Sequence, residues 1–329
     1  MSVDTIVAEL HRLRGTQSEH EVMGATASTS TLIVYAGDPE AFSEATGPAR
    51  KMAIAHGARL LLLDASGRSR EARVCAFCGR AGSETICCEE ITLPIDPSRS
   101  GVAVADVEEL LLPGLPSYLW WSDGRVETPL FRGLHALAKH IVVDTSLAAD
   151  PTVALIELDR MLSHDPHAYL WDIAWLRNAP WREMAARLFD DPERAAALAR
   201  LEAIEIEGGS LGEAALMAGW IGAQLGYTVP ERSHHLRTAT GARVSFAHRG
   251  TPQPVCAVRL RTDTLTFSAS LEGSASVCLS MESAQEQRSR CEPLMARALD
   301  DLVREALYGI GADPAFPQAL ALAAGLVAG

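Results

Sequence analysis

Residues 31–64 read TLIVYAGDPEAFSEATGPARKMAIAHGARLLLLD. Thr31–Tyr35 carries apolar side chains on successive positions, so both faces of a strand there would be buried. Gly37-Asp38-Pro39 is a turn, and the stretch around Phe42–His56 is helical. Arg59–Asp64, RLLLLD, is a second continuous apolar strand. Strand, helix and strand of this kind form the unit of a parallel sheet.

Outward from that unit the pattern persists. Residues 3–14 place Val3, Ile6, Val7, Leu10 and Leu13 on one helical face. Ala72–Cys78 and Thr85–Ile95 alternate more and read as an antiparallel pair. Val104–Leu111 is a helix stopped by Pro113-Gly114, and PSYLWWS at 116–122 is the next strand. A turn at Asp123-Gly124, a helix over Leu130–Lys139 and a strand HIVVD at 140–144 follow. Residues 1–150 are therefore expected to form an α/β domain, a mostly parallel sheet with helices.

Asp150-Pro151 starts a helix with an N-cap carboxylate and a first-turn proline. Past it lies YLWDIAWLRNAPWREMAARLFDD at 169–191, which holds three of the six tryptophans. Trp181, Met184, Ala185 and Leu188 keep helical spacing, while Leu170–Leu176 cover nearly every direction of a helix. Ala203–Glu207 alternates as a half-exposed strand, and Ser210-Leu211-Gly212-Glu213 is a capping box for a helix ending at Gly226. From Thr228 to Met281 strands alternate with turns, and a helical block is expected from Cys291 to about Leu307. Residues 151–329 thus read as an α+β domain with antiparallel strands, the boundary falling near residues 149–167.

The chain has 329 residues, 48 % of them hydrophobic, and a net charge of −13. That charge disfavours nucleic acid or an anionic membrane as partner, since both demand a basic face. MSVDTIVAELHRLRG lacks the apolar core of a secretory signal, so the seven cysteines are expected as reduced thiols in the cytoplasm.

Three motifs invite chemistry. Gly208-Gly209-Ser210-Leu211-Gly212 has the form of a serine-hydrolase elbow. Its strand carries Glu202, Glu205 and Glu207, however, and no acid-then-histidine order on α/β units follows, so Ser210 reads first as an N-cap. Cys75-x-x-Cys78 and Cys87-Cys88 raise zinc and redox readings. Adjacent strand cysteines point to opposite faces, which argues against a metal cluster and leaves a reversible Cys75–Cys78 disulfide as the redox candidate. Asp144-Thr145-Ser146 ends a strand at the edge where α/β sheets bind ligands, making it a candidate anion edge or a set of caps. No G-x-G-x-x-G follows a strand, so no cofactor is implied.

Several stretches together resemble one family. WDIAWLRNAPWREMAARLFD resembles the D-(L/I)-x-W-x-R-x-x-x-W-R-E-x-x-A-x-x-F-D segment of the glucose-6-phosphate dehydrogenase assembly protein (OpcA) family. CEEITL at 88–93, LLPGLP at 111–116 with Leu119-Trp120-Trp121, HIVVDTS at 140–146 and AGWI at 218–221 resemble further family motifs in the expected order. Gly114 stands where an acid is usual, and HIVVDTS departs from the family's D-R-x-I-V-D-S-S in losing the leading basic residue and in having Thr145 for serine. The resemblance implies a non-catalytic protein that binds glucose-6-phosphate dehydrogenase and promotes its assembly or active state. Trp171, Trp175, Arg177, Trp181 and Arg182 are the candidate contact residues, with half or more of the indoles expected in the core.

Overall fold

The computed structural model describes residues 2–18, 28–165, 169–231, 233–251, 254–309 and 313–329, with backbone only for 14–18. In chain order the elements of the first stretch are α1 (Val3–Ser18), β1 (Ser30–Ala36), α2 (Pro39–His56), β2 (Ala58–Asp64), β3 (Arg73–Ala81) and β4 (Glu84–Pro94). Then come α3 (Ser100–Leu110), β5 (Ser117–Ser122), α4 (Pro129–His135) and β6 (His140–Val143). They continue as α5 (Pro151–His164), β7 (Tyr169–Asp172), α6 (Ile173–Arg177), α7 (Ala179–Arg187), α8 (Pro192–Ala197), β8 (Leu201–Glu207) and α9 (Leu211–Gln224). The remainder is β9 (His235–Arg237), β10 (Arg243–Arg249), β11 (Ala257–Thr262), β12 (Thr266–Glu272), β13 (Ser276–Glu282), β14 (Gln287–Pro293), α10 (Leu299–Tyr308) and α11 (Ala315–Ala328).

The chain gathers into two compact units. One comprises Met1–Asp144, His167–Trp171 and Leu299–Ile310; the other comprises Thr145–Pro166, Asp172–Ala298 and Gly311–Gly329. The first sheet has strand order β3-β4-β2-β1-β5-β6-β7. β1 pairs in parallel with β2 and β5, β2 with β4, and β5 with β6, while β3 runs antiparallel at one edge. Every residue of β1 and β2 is buried, as their unbroken apolar runs require. Leu32, Ile33, Leu60, Leu61 and Leu63 are wholly enclosed, each contributing on the order of 2 kcal/mol of transfer free energy.

The second sheet runs β14-β13-β12-β11-β8-β10-β9 and is mostly antiparallel. An α/β fold is thus followed by an α+β fold. Over 204–207, β8 alternates buried and partly exposed positions, so Glu205 and Glu207 face outward while Ile204 and Ile206 enter the core. That core includes Trp181, Met184, Leu188, Met217, Ile221, Leu236, Val258 and Phe267. Among the described residues no helix is long and apolar enough to cross a membrane.

Two elements differ from their sequence reading. YLWD at 169–172 is an edge strand, not a helix; a short run apolar in all directions carries no period to separate the two. Gln287–Pro293 is the outer strand of the second sheet, and the helical block expected from Cys291 starts at Leu299 as α10. A polar, charged strand of this kind protects a sheet edge from pairing with other chains, and that polarity hides it from an apolar-pattern search.

Candidate functional site

The tryptophan-rich segment folds inward. Trp171, Trp175 and Trp181 are 8 %, 1 % and 5 % exposed, so the segment's indoles are core groups of their own chain. Trp175 Nε1 donates to Asp313 Oδ2 at 2.8 Å, and its ring lies 5.4 Å from that of Phe316. The Arg182 guanidinium sits 3.4 Å from the Trp175 ring centroid and donates from Nη1 to the Trp175 carbonyl at 2.7 Å. A cation stacked on the indole and anchored to the same residue's backbone fixes the α6–α7 corner in one geometry.

Beside that corner a polar network forms from residues far apart in sequence. Arg177 Nη1 donates to Ser146 Oγ at 2.9 Å and to Glu213 Oε1 at 3.5 Å. Glu213 Oε2 in turn accepts from the Ser210 amide at 2.9 Å, while Ser210 Oγ accepts from the Glu213 amide at 3.2 Å. Asp172, fully enclosed, accepts from the Thr145 amide at 3.0 Å, the Thr145 hydroxyl at 2.6 Å and the Ala174 amide at 2.9 Å. The sequence signal for Asp172 is an acid directly before Ile173-Ala174-Trp175, an N-cap position that the apolar run around it masks. An anion approaching Thr145 would meet this carboxylate rather than a free amide. Asp144 is buried at the end of β6.

The hydrolase reading of Ser210 finds no support. Its hydroxyl is committed to the capping box of α9, and His248 Nε2 lies 3.3 and 3.2 Å from the carbonyl oxygens of Gly208 and Gly209. Gly208 and Gly209 have φ of 81° and 72°, so the two glycines serve the left-handed turn between β8 and α9.

The cysteines also depart from expectation. Cys78 is bonded to Cys87, not to Cys75, and a second disulfide joins Cys278 to Cys291. Residues three apart on a strand face opposite ways, whereas Cys78 and Cys87 are register partners across β3 and β4. Cys75 is an exposed free thiol whose pKa is raised by burial of its sulfur environment and by the Glu90 carboxylate. Glu272, Cys278 and Cys291 bring three potential metal-ligand atoms within 4.8 Å of one another. Both sulfurs of that set are consumed while the disulfide stands.

Two further features lie outside the predicted residues. An open apolar cavity of about 230 Å³ is lined by Phe189, Leu198, Trp220, Ile221 and Leu225 with neighbouring alanines. In the first sheet, the chain leaves β1 toward α2 and β2 on one side and returns through β5 on the other, so the strand order reverses between β1 and β5. At the carboxyl end of that reversal Asp38 Oδ1 accepts from the amides of Glu40 and Ala41, each at 2.9 Å, capping α2. Asp123, just after β5, is clamped by Arg125 through Nε at 3.0 Å and Nη2 at 2.6 Å.

Two domain families of the glucose-6-phosphate dehydrogenase subunit match the chain, the N-terminal domain over residues 49–160 and the C-terminal domain over residues 168–320. The chain belongs to the OpcA family. A protein of Synechocystis sp. named putative OxPP cycle protein OpcA is 32 % identical over 214 residues, which is 62 % of this chain and 44 % of the relative. One of the same name from Synechococcus elongatus is 33 % identical over 166 residues, 49 % of this chain and 37 % of the relative. The matched region thus spans less than half the length of these OpcA relatives.

Among solved structures, the 3-ketoreductase KijD10 from Actinomadura kijaniata in complex with NADP aligns with a TM-score of 0.51 at 13 % identity. The alignment covers 91 % of this chain and 96 % of that one. Its open conformation, with TDP-benzene and NADP, aligns at 0.50 with 10 % identity. This likeness is one of fold.

Proposed function

We propose that this chain is a non-catalytic partner of glucose-6-phosphate dehydrogenase, binding it and biasing it toward its active oligomer. The observation that carries the reading is the pair of dehydrogenase-associated domain matches at residues 49–160 and 168–320. The name of the cyanobacterial relatives supports a role in the oxidative pentose phosphate cycle. Such a role puts the chain in the cytoplasm beside its partner. The commitment of Ser210 to a helix cap supports a role without hydrolytic chemistry.

An activator needs only to bind one state of the enzyme more tightly than another; a tenfold shift requires about 1.4 kcal/mol of differential affinity. In this reading the indoles of Trp171, Trp175 and Trp181 hold the shape of the segment. Arg177 and Arg182, less deeply placed, set the polar edge that meets the enzyme. Cys78, through its bond to Cys87, is the residue at which an external thiol reductant would act, returning both sulfurs to thiols.

Dehydrogenase activity from the same source, measured against glucose 6-phosphate with and without this chain, tests the reading. Size-exclusion chromatography of the mixture accompanies it, under reducing and oxidising conditions. A lowered KM or a shifted oligomer peak supports activation. Unchanged kinetics with no co-elution in either condition sinks it.

A further inference from the structure

The fold this chain shares with nucleotide-dependent reductases holds its dinucleotide at the reversal of strand order, beyond the carboxyl ends of the strands. Three elements make that site: amides of the first helix turn for the diphosphate, a glycine that lets the backbone approach it, and an acid after the second strand for the ribose. All three positions exist here, and each is already engaged by the chain itself.

The amides of α2 are fully accounted for. Pro39 has no N–H, Glu40 and Ala41 donate to the Asp38 carboxylate, and Phe42 donates to the Asp38 carbonyl at 3.0 Å. No donor of the first turn is left for a phosphate. Gly37 does leave open space, but the chain fills it. A Cβ built there would collide with Asp123 Oδ2 and lie 3.1 Å from Arg125 Nη2. The place where a diphosphate would lie against the backbone therefore holds a carboxylate clamped by a guanidinium.

The acid after the second strand is Asp64, 1 % exposed. Its Oδ1 accepts from the Ser66 amide at 2.8 Å and from the Ser66 hydroxyl, and its Oδ2 accepts from the Ser69 amide at 2.7 Å. Burial alone would raise its pKa, but the hydrogen bonds from Ser66 and Ser69 together bring it below the ordinary carboxylate value. It stands as an ionised pin for its own loop, with no capacity turned toward a ribose. The Tyr35 phenol, stacked on Trp121 at 3.8 Å, has its pKa pushed up to about 12, first by burial and then by the Asp123 charge, with Arg125 opposing.

We propose that the switch-point crevice between β1 and β5 is closed by the chain's own carboxylates, Asp38 and Asp123, which occupy the diphosphate position and exclude a dinucleotide. The Asp123–Arg125 pair is then a structural strut standing where related folds keep an exchangeable ligand.

Thermal melting tests this with the native chain and with an Asp38→Ser/Asp123→Ser variant. Serine keeps a neutral cap on α2, while loss of both carboxylates frees Arg125 and leaves the helix terminus positive. Millimolar NADP+, NADPH, NAD+ or NADH is expected to leave native melting unchanged, with no saturable quenching of tryptophan fluorescence. Inorganic pyrophosphate is expected to raise the melting temperature of the variant by several degrees and of the native chain by none, with chloride matched for ionic strength. Saturable dinucleotide binding by the native chain overturns the proposal. So does a folded variant as indifferent to pyrophosphate as the native chain. If the variant does not fold, the native titration alone decides.

Discussion

The two sheets are built from the same number of strands on opposite economies of side chain. β1 and β2 bury every residue, so the first sheet is held by apolar contact on both faces. Over 204–207, β8 alternates instead, turning Ile204 and Ile206 inward and Glu205 and Glu207 outward, where Arg259 pairs with Glu207 at 3.0 Å. The first sheet is sensitive to volume at any position; the second is sensitive to volume at alternate positions and relies on polar joints around its helices. A sheet covered on both faces leaves only its ends for function, and here the end at β1 and β5 is itself filled.

The largest expected contrast is Leu61→Ala in β2, which should cost about 2–5 kcal/mol through lost transfer energy and a residual cavity. Glu205→Ala in β8 should stay within about 0.5 kcal/mol. Urea denaturation of both variants measures the difference, and equal losses would break the comparison. Asp172→Ala comes next. It strands the Thr145 and Ala174 amides and the Thr145 hydroxyl, at roughly 1–3 kcal/mol for an orphaned group, about 3 in total after relaxation.

Reducing both disulfides, which close 9- and 13-residue separations on the outer strands of the two sheets, should each remove about 2–3 kcal/mol by the chain-entropy account. Melting with and without reductant, for Cys78→Ser and Cys278→Ser separately, shows whether the two sheets lose equally. Ser210→Ala, a lost cap, should cost about 1 kcal/mol and leave dehydrogenase activation intact.

The smallest effect is one of pH. His56 and His140 in the first unit have pKa values lowered by burial and then by nearby cations, Arg304 and Lys139. Folding therefore disfavours their protonation, and stability falls as pH drops below the ordinary imidazole value toward the lower folded one. A His56→Gln/His140→Gln variant should show a shallower loss between neutral and mildly acidic pH by chemical denaturation.

What could be read from the sequence depended on whether the signal was local. The apolar runs of β1 and β2, the Asp150 cap before Pro151 and the Ser210–Glu213 capping box are each set by neighbours a few residues apart. The Cys78–Cys87 pairing depends on strand register, and the Arg177–Ser146–Glu213 network on three elements meeting in space, neither of which spacing reveals. The indoles of the 169–191 segment could be recognised as a family mark from sequence, but the direction they face is a tertiary property. Asp123 illustrates the same limit. In sequence it is half of an Asp-Gly turn; in the structure it fills the space that Gly37 leaves open.

The distribution of indoles has an optical consequence. Of the six tryptophans, Trp120, Trp121, Trp171, Trp175 and Trp181 are enclosed, and Trp220 alone stands half-exposed, beside the apolar cavity. Emission from the five is shielded from aqueous quenchers, so the fraction that acrylamide extinguishes reports on a single ring. The protein thus carries a native fluorophore on one rim of one groove, able to register without any label when something covers it.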